Sequence, residues 1–122
     1  MSVELNHTIV QAGDKHASAR FLATILGLPV GPEFGPFVPI ELANGVTLDY
    51  MTVDRPRPQH YAFLVDEQEF DAAFGRIQQQ GLHYYAEPGG GRPGEINHRW
   101  DGRGVYFNDP DDHVMEILTS VP

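Results

Sequence analysis

Cysteine is absent from the 122 residues, which removes disulfides, thiolate nucleophiles and cysteine-type zinc sites together. Any metal must therefore be held by histidine and carboxylate, ligands that suit Fe, Mn, Ni, Co or Zn. Basic residues are scarce: 8 Lys and Arg stand against 17 Asp and Glu, a formal charge of −9. Such a balance repels phosphate-rich surfaces, so neither nucleic acid nor an anionic membrane is an expected partner. No apolar run approaches the roughly 18 residues that a membrane-spanning helix needs. The opening MSVELNHTIVQAG has neither the basic start nor the apolar stretch of a signal peptide, and a cytoplasmic protein is expected. What remains is ordinary for a folded chain, 41% hydrophobic and 20% charged, at a length that suits one compact domain.

The pattern along that domain reads as strand, helix and three strands, given twice, with a first module over about residues 3–54 and a second over about 58–121. Leu5–Gln11 alternates and is β-rich. Gly13-Asp14 starts a helix whose apolar stripe is Ala17, Phe21 and Ile25, flanked by Leu22 and Leu26, and Gly27-Leu28-Pro29 stops it. A Gly/Pro-rich stretch, Gly31–Pro36, leads to strands near Phe37–Leu42 and Val46–Val53 around an Asn44-Gly45 turn. After the break at Arg55-Pro56-Arg57-Pro58 the order restarts. Gln59–Val65 reads as a strand, and Asp66 with Glu69 as a capping box for a helix with Phe70, Phe74 and Ile77 inward and Gly81 at its end. Strands follow at Leu82–Glu87, Arg103–Asn108 and His113–Ser120, with a long Gly-rich loop over Pro88–Gly102 and a turn at Asp109–Asp112.

The two halves match in more than element order. His7 and His60 both lie in the opening strand of their half, and Asp49 and Glu116 both lie in the closing one. Strand side chains alternate between faces. His60 therefore shares a face with Ala62 and Leu64, opposite the bulkier Tyr61, Phe63 and Val65, which suit the surface beneath a helix. Glu116 shares a face with Val114 and Leu118 in a strand otherwise apolar. A lone ionised carboxylate there would cost several kcal/mol to bury, so it needs a partner or a metal.

Singly, each of these residues is more simply a half-buried strand histidine or an edge carboxylate. As a set repeated by symmetry, His7, His60 and Glu116 are the expected ligands of one divalent ion. Two imidazoles and one carboxylate leave open positions, as in non-haem Fe(II) sites, with Mn, Ni or Zn also compatible. Asp49 is a fourth ligand, an acceptor orienting an imidazole, or a general base. Tyr106 is either a phenolic donor to a substrate oxygen or a core aromatic.

The loop gathers Arg92, Glu95, Asn97, His98, Trp100 and Arg103 in one stretch. Its three consecutive glycines lack the Lys-Ser/Thr of a phosphate-binding loop. Long irregular loops in small domains are often lids or binding loops, and a dimer contact is the equal alternative. His16, His83 and His113 read as surface or turn residues.

His7 in the opening strand, Gln59-His60-Tyr61-Ala62-Phe63, and Tyr106-Phe107-Asn108-Asp109-Pro110 followed by Glu116 together resemble the vicinal-oxygen-chelate superfamily. That superfamily includes glyoxalase I, extradiol ring-cleaving dioxygenases, fosfomycin-resistance transferases and bleomycin-binding proteins, and the resemblance covers the whole chain. It implies an α+β fold of paired βαβββ modules forming a curved mixed-sheet trough, commonly as a homodimer whose sites borrow ligands across chains. Fosfomycin transferases carry Thr two residues after the first histidine, where this chain has Ile9. PQHYAFLVDEQEFDAAF and the loop RPGEINH with GRGVYFNDP look most like a small group of oxygenases of chartreusin-type biosynthesis.

That likeness implies an Fe(II)-dependent oxygenase that cleaves or rearranges a small aromatic, polyketide-like or catechol-like substrate in antibiotic biosynthesis. Asp49 or His98 would take a phenolic proton, while Tyr106 and Arg92 orient substrate or hold developing oxyanions. A metal-dependent lyase, isomerase or thiol transferase remains an alternative, as does a non-catalytic protein that sequesters a drug-like aromatic.

Overall fold

The computed structural model describes residues 2–122, which divide into two compact units between Arg57 and Pro58. Unit 1 runs β1 (His7–Ala12), α1 (Lys15–Leu26), β2 (Phe37–Glu41) and β3 (Thr47–Thr52). Its sheet has the order β1-β3-β2, with β1 parallel and β2 antiparallel to the central β3. The parallel pair needs a crossover, and α1 supplies it. Asp14 caps that helix by accepting the amide N–H groups of His16 and Ala17, and Gly27 ends it in a left-handed conformation at φ 72°.

The buried face of α1 is Ser18, Ala19, Leu22, Ala23 and Ile25. The stripe is thus turned from the one the sequence suggests, because Ala17 is exposed and Phe21 only half-buried. Small residues at 18, 19 and 23 let the helix sit closely on Val10, Ala12, Val38, Ile40, Leu48 and Tyr50, all buried. Two boundaries shift as well: the first strand begins at His7, not Leu5, and Gly31–Pro36 adds only a Phe34–Phe37 bridge. Unit 1 therefore has two strands after its helix where the repeat calls for three.

Unit 2 runs β4 (His60–Leu64), α2 (Glu67–Gln79), β5 (Tyr84–Glu87), β6 (Gly91–Pro93), β7 (Gly104–Asn108) and β8 (Val114–Leu118). The sheet order is β4-β8-β7-β5-β6, with β4 and β8 parallel and the other neighbours antiparallel. Asp66 and Glu69 form a complete capping box, a device that typically contributes about 1 kcal/mol. Phe70, Ala73 and Ile77 are the buried face of α2, and Phe74 packs half-buried between Phe70 and the edge of Tyr84. Arg103 closes the far end: it bonds Glu67 and Asp71 and lies 4.4 Å over the Phe70 ring.

Three expectations are corrected here. The segment Pro88–Gly102 is not a bare loop. It contains β6 and two 3₁₀ turns, and Asn97 exchanges both backbone bonds with Gly104. His113 is fully buried, not a surface residue. Its Nδ1 accepts the amide N–H of Gln59, and its ring stands edge-on to Tyr61. Arg103 is a clamp on α2 and not a free loop residue. Among the described residues no helix is long and apolar enough to cross a membrane.

Candidate functional site

In β4 the burial alternates as the parity argument requires: Phe63 is buried, while His60, Ala62 and Leu64 are exposed. The neighbouring β8 buries Met115 and Ile117 and leaves Val114, Glu116 and Leu118 half-covered. Register then brings the polar pair together. Ala62 stands opposite Glu116, and His60 lies two residues before Ala62 on the same face. His60 Nε2 and Glu116 Oε1 are 2.9 Å apart, with side-chain exposures of 51% and 12%. The carboxylate is largely out of water and the imidazole faces it from the open side.

Tyr106 sits directly opposite Glu116 on the other flank. Its ring is stacked on Tyr85 and tilted against His60, with centroids 5.7 and 5.9 Å apart. His83 also lies against Tyr85, its ring tilted by 31°. Burial holds the Tyr106 phenol above its ordinary pKa; Arg99 pulls it down and the Glu116 carboxylate pushes it up. Tyr106 therefore stays a neutral hydroxyl at ordinary pH, able to donate.

The guanidinium that reaches this phenol is that of Arg99, whose Nη1 donates to the Tyr106 hydroxyl oxygen at 2.8 Å. Sequence does not single out Arg99, and the only local hint is Gly104. A Cβ there would lie 2.8 Å from Asn97 Oδ1, so the glycine is what admits the Asn97 side chain beside β7. Asn97 donates to the Ala86 carbonyl and accepts the Arg99 amide. Trp100 and Asp101 follow with φ of 59° and 58°, a left-handed pair of non-glycine residues that costs roughly 1–3 kcal/mol each. Ser120 Oγ donates to the Trp100 carbonyl, tying the turn to the chain beyond β8. Arg92 is placed differently: it bonds Glu95 at 3.0 Å and lies 4.0 Å from Glu87. His98 is exposed one position before Arg99.

Unit 1 repeats the same frame. Ile9 stands opposite Asp49 in β1–β3 as Ala62 stands opposite Glu116, and His7 lies two residues before Ile9. Here, however, His7 Nδ1 is bonded to Asn6 Oδ1 at 2.8 Å. An amide oxygen only accepts, so Nδ1 is the donor in this contact. Asp49, one methylene shorter than glutamate, is buried with Oδ1 lacking any hydrogen-bond partner among the described residues. Both residues line a hollow of about 500 Å³, walled by Phe34, Phe37 and the prolines at 29, 32 and 39. That size falls within the range of small-molecule sites.

Among the described residues no three His, Asp or Glu side chains gather into a ready metal cage. His60 and Glu116 do supply two suitable donors: an imidazole nitrogen and a carboxylate oxygen side by side on adjacent strands. The third expected ligand, His7, lies in unit 1, with its Nδ1 on Asn6.

No family model matches the chain. Among solved structures it is similar to the oxidase ChaP-H2, at 61% identity and a TM-score of 0.97 over 99% of this chain and 96% of the other. It is also similar to the oxidase ChaP-H1, at 58% identity and a TM-score of 0.96 over 98% of each. The glutathione transferase FosA of Serratia marcescens is 25% identical over 96% of this chain and 81% of its own length.

Proposed function

The chain belongs to the vicinal-oxygen-chelate superfamily, beside the ChaP-H oxidases, and from that premise we propose that it is an Fe(II)-dependent oxygenase of a small aromatic, polyketide-like or catechol-like substrate. The observation that carries the reading is the His60–Glu116 pair at 2.9 Å with the Tyr106 phenol beside it. His60, Glu116 and His7 would hold the ion, His7 coming from the same chain or from a second copy in a homodimer. The donor chemistry fits: two neutral imidazoles and one carboxylate suit a borderline divalent ion and leave positions open. Iron bound there would supply the Lewis acidity that makes a phenol acidic and the redox chemistry that oxygen insertion needs.

The chain's own residues account for the rest. The aromatic and proline walls of the unit 1 hollow would offer apolar contact to the substrate rings. Asp49, with an unbonded buried oxygen facing no competing donor, accepts the proton of a substrate hydroxyl, and exposed His98 is a second acceptor. Tyr106, kept protonated, donates its hydrogen to a substrate oxygen as charge builds on it. Exposed Arg92 would steer an anionic substrate by exchanging its carboxylate partners Glu95 and Glu87 for it.

Anaerobic purification without a histidine tag, followed by elemental analysis and oxygen uptake, tests the reading. About one iron per chain, with uptake on adding a catechol-bearing aromatic and none in His60→Ala, is the expected result. Zinc, nickel or manganese with thiol transfer instead would establish the transferase alternative. Tight aromatic binding that survives EDTA without turnover would establish a sequestering protein.

A further inference from the structure

We infer that Arg99 is a positioning residue, built into the fold to aim the Tyr106 hydroxyl hydrogen at an anionic substrate oxygen, a phenolate or enolate. The inference rests on the substrate site proposed above and adds a residue to it. A tyrosine hydroxyl carries one hydrogen and two lone pairs. Arg99 Nη1 occupies a lone pair at 2.8 Å, and a guanidinium cannot accept. The hydrogen must therefore point elsewhere, and Glu116 is the residue paired with Tyr106 on the neighbouring strand. With Glu116 committed to an ion, that hydrogen would be left for the oxygen of a substrate beside it.

The backbone shows that this placement of Arg99 is supported and not incidental. Both of its main-chain groups are held: the amide donates to Asn97 Oδ1, and the carbonyl accepts from Gly102. Asn97 is itself buried and bonded to Ala86. The two left-handed residues after Arg99 turn the chain back at once, so the guanidinium projects from a fixed point. An exposed arginine whose only role was solubility would need none of this.

The test is binding of nitrocatechol, whose absorption spectrum reports its ionisation, to the iron-reconstituted protein. Arg99→Met should retain its iron yet bind the probe about tenfold more weakly, the usual scale for a lost hydrogen bond to a charged group. Arg99→Lys, which keeps a charged donor of different shape, should fall between. Tyr106→Phe should weaken binding to a similar degree, and adding Arg99→Met to it should weaken binding no further, because the arginine acts through the phenol. Wild-type binding of Arg99→Met, or independent additive losses in the double variant, would overturn the inference while leaving the site intact. A wild type that binds iron but no nitrocatechol would overturn the substrate reading and this inference with it.

Discussion

His60 Nε2 and Glu116 Oε1 meet at 2.9 Å although 56 positions separate them in the chain. In unit 1 the same register offset sets His7 beside Asp49, but there the carboxylate is one methylene shorter and the imidazole turns to Asn6. A repeated frame has thus been given two uses. One half keeps histidine and carboxylate in contact, and the other leaves an imidazole nitrogen and a carboxylate oxygen unengaged.

The length of the side chain at 116 should therefore matter as much as its charge. Glu116→Asp makes unit 2 resemble unit 1, and metal affinity should fall by tenfold or more, on the order of the loss that follows when a ligand is misplaced. Isothermal titration with Fe(II) or Mn(II) measures it, with Glu116→Gln as the charge-free comparison. Undiminished affinity in Glu116→Asp would remove Glu116 from the ligand set.

Asn6 holds the His7 ring through Nδ1 and does not occupy Nε2. Asn6→Ala should leave the exposed segment folded and weaken metal binding by roughly 10–100-fold. Asn6→Asp, which still accepts from Nδ1, should restore most of it. If both variants bind as wild type, His7 is not oriented by this bond.

Gly104 admits Asn97 to its buried position. Gly104→Ala forces that side chain off its bond to Ala86 and should destabilise the fold by about 1–3 kcal/mol. Denaturant midpoints would show it, and the nitrocatechol affinity should drop in parallel because Arg99 loses its anchor. A variant as stable as wild type would mean that the turn has slack the contacts do not suggest.

Asp109 gives a pH signature. Burial raises its pKa above the ordinary carboxylate value, despite two amide N–H bonds from Asp111 and His113 to Oδ1, and Oδ2 is buried without a partner. Ionisation is then harder in the folded state than in the unfolded one. Its contribution to stability is intact below the ordinary value near ~3.9 and declines as pH rises through the raised value. Asp109→Asn keeps an oxygen for both amides and does not titrate. Its stability relative to wild type should improve as pH is raised from about 4 toward 7. Parallel stability curves would contradict the assignment.

Much of this was legible in the residues alone because local chemistry dictates it. The Asp66–Glu69 box, the Gly27 stop and the parity of His60 against Phe63 need only spacing, and all appear in the structure. What stayed hidden depends on partners distant in sequence. His113 looks like a turn residue until Gln59 and Tyr61 are brought against it. Gly91–Pro93 has no strand pattern and becomes one only by pairing with β5. Arg99 is one of several arginines in its loop, and only the bridge between Asn97 and Gly104 picks it out.

The parallel pairing of β4 with β8 has a consequence for the order of assembly. These strands open and close unit 2, and they are neighbours in its sheet. During synthesis His60 leaves the ribosome long before Glu116, and no shorter nascent chain can bring the two together. Long-range parallel pairing is also slow to form. Ion capture by this pair would therefore be among the last events of maturation, and a bound ion would certify that unit 2 had been completed.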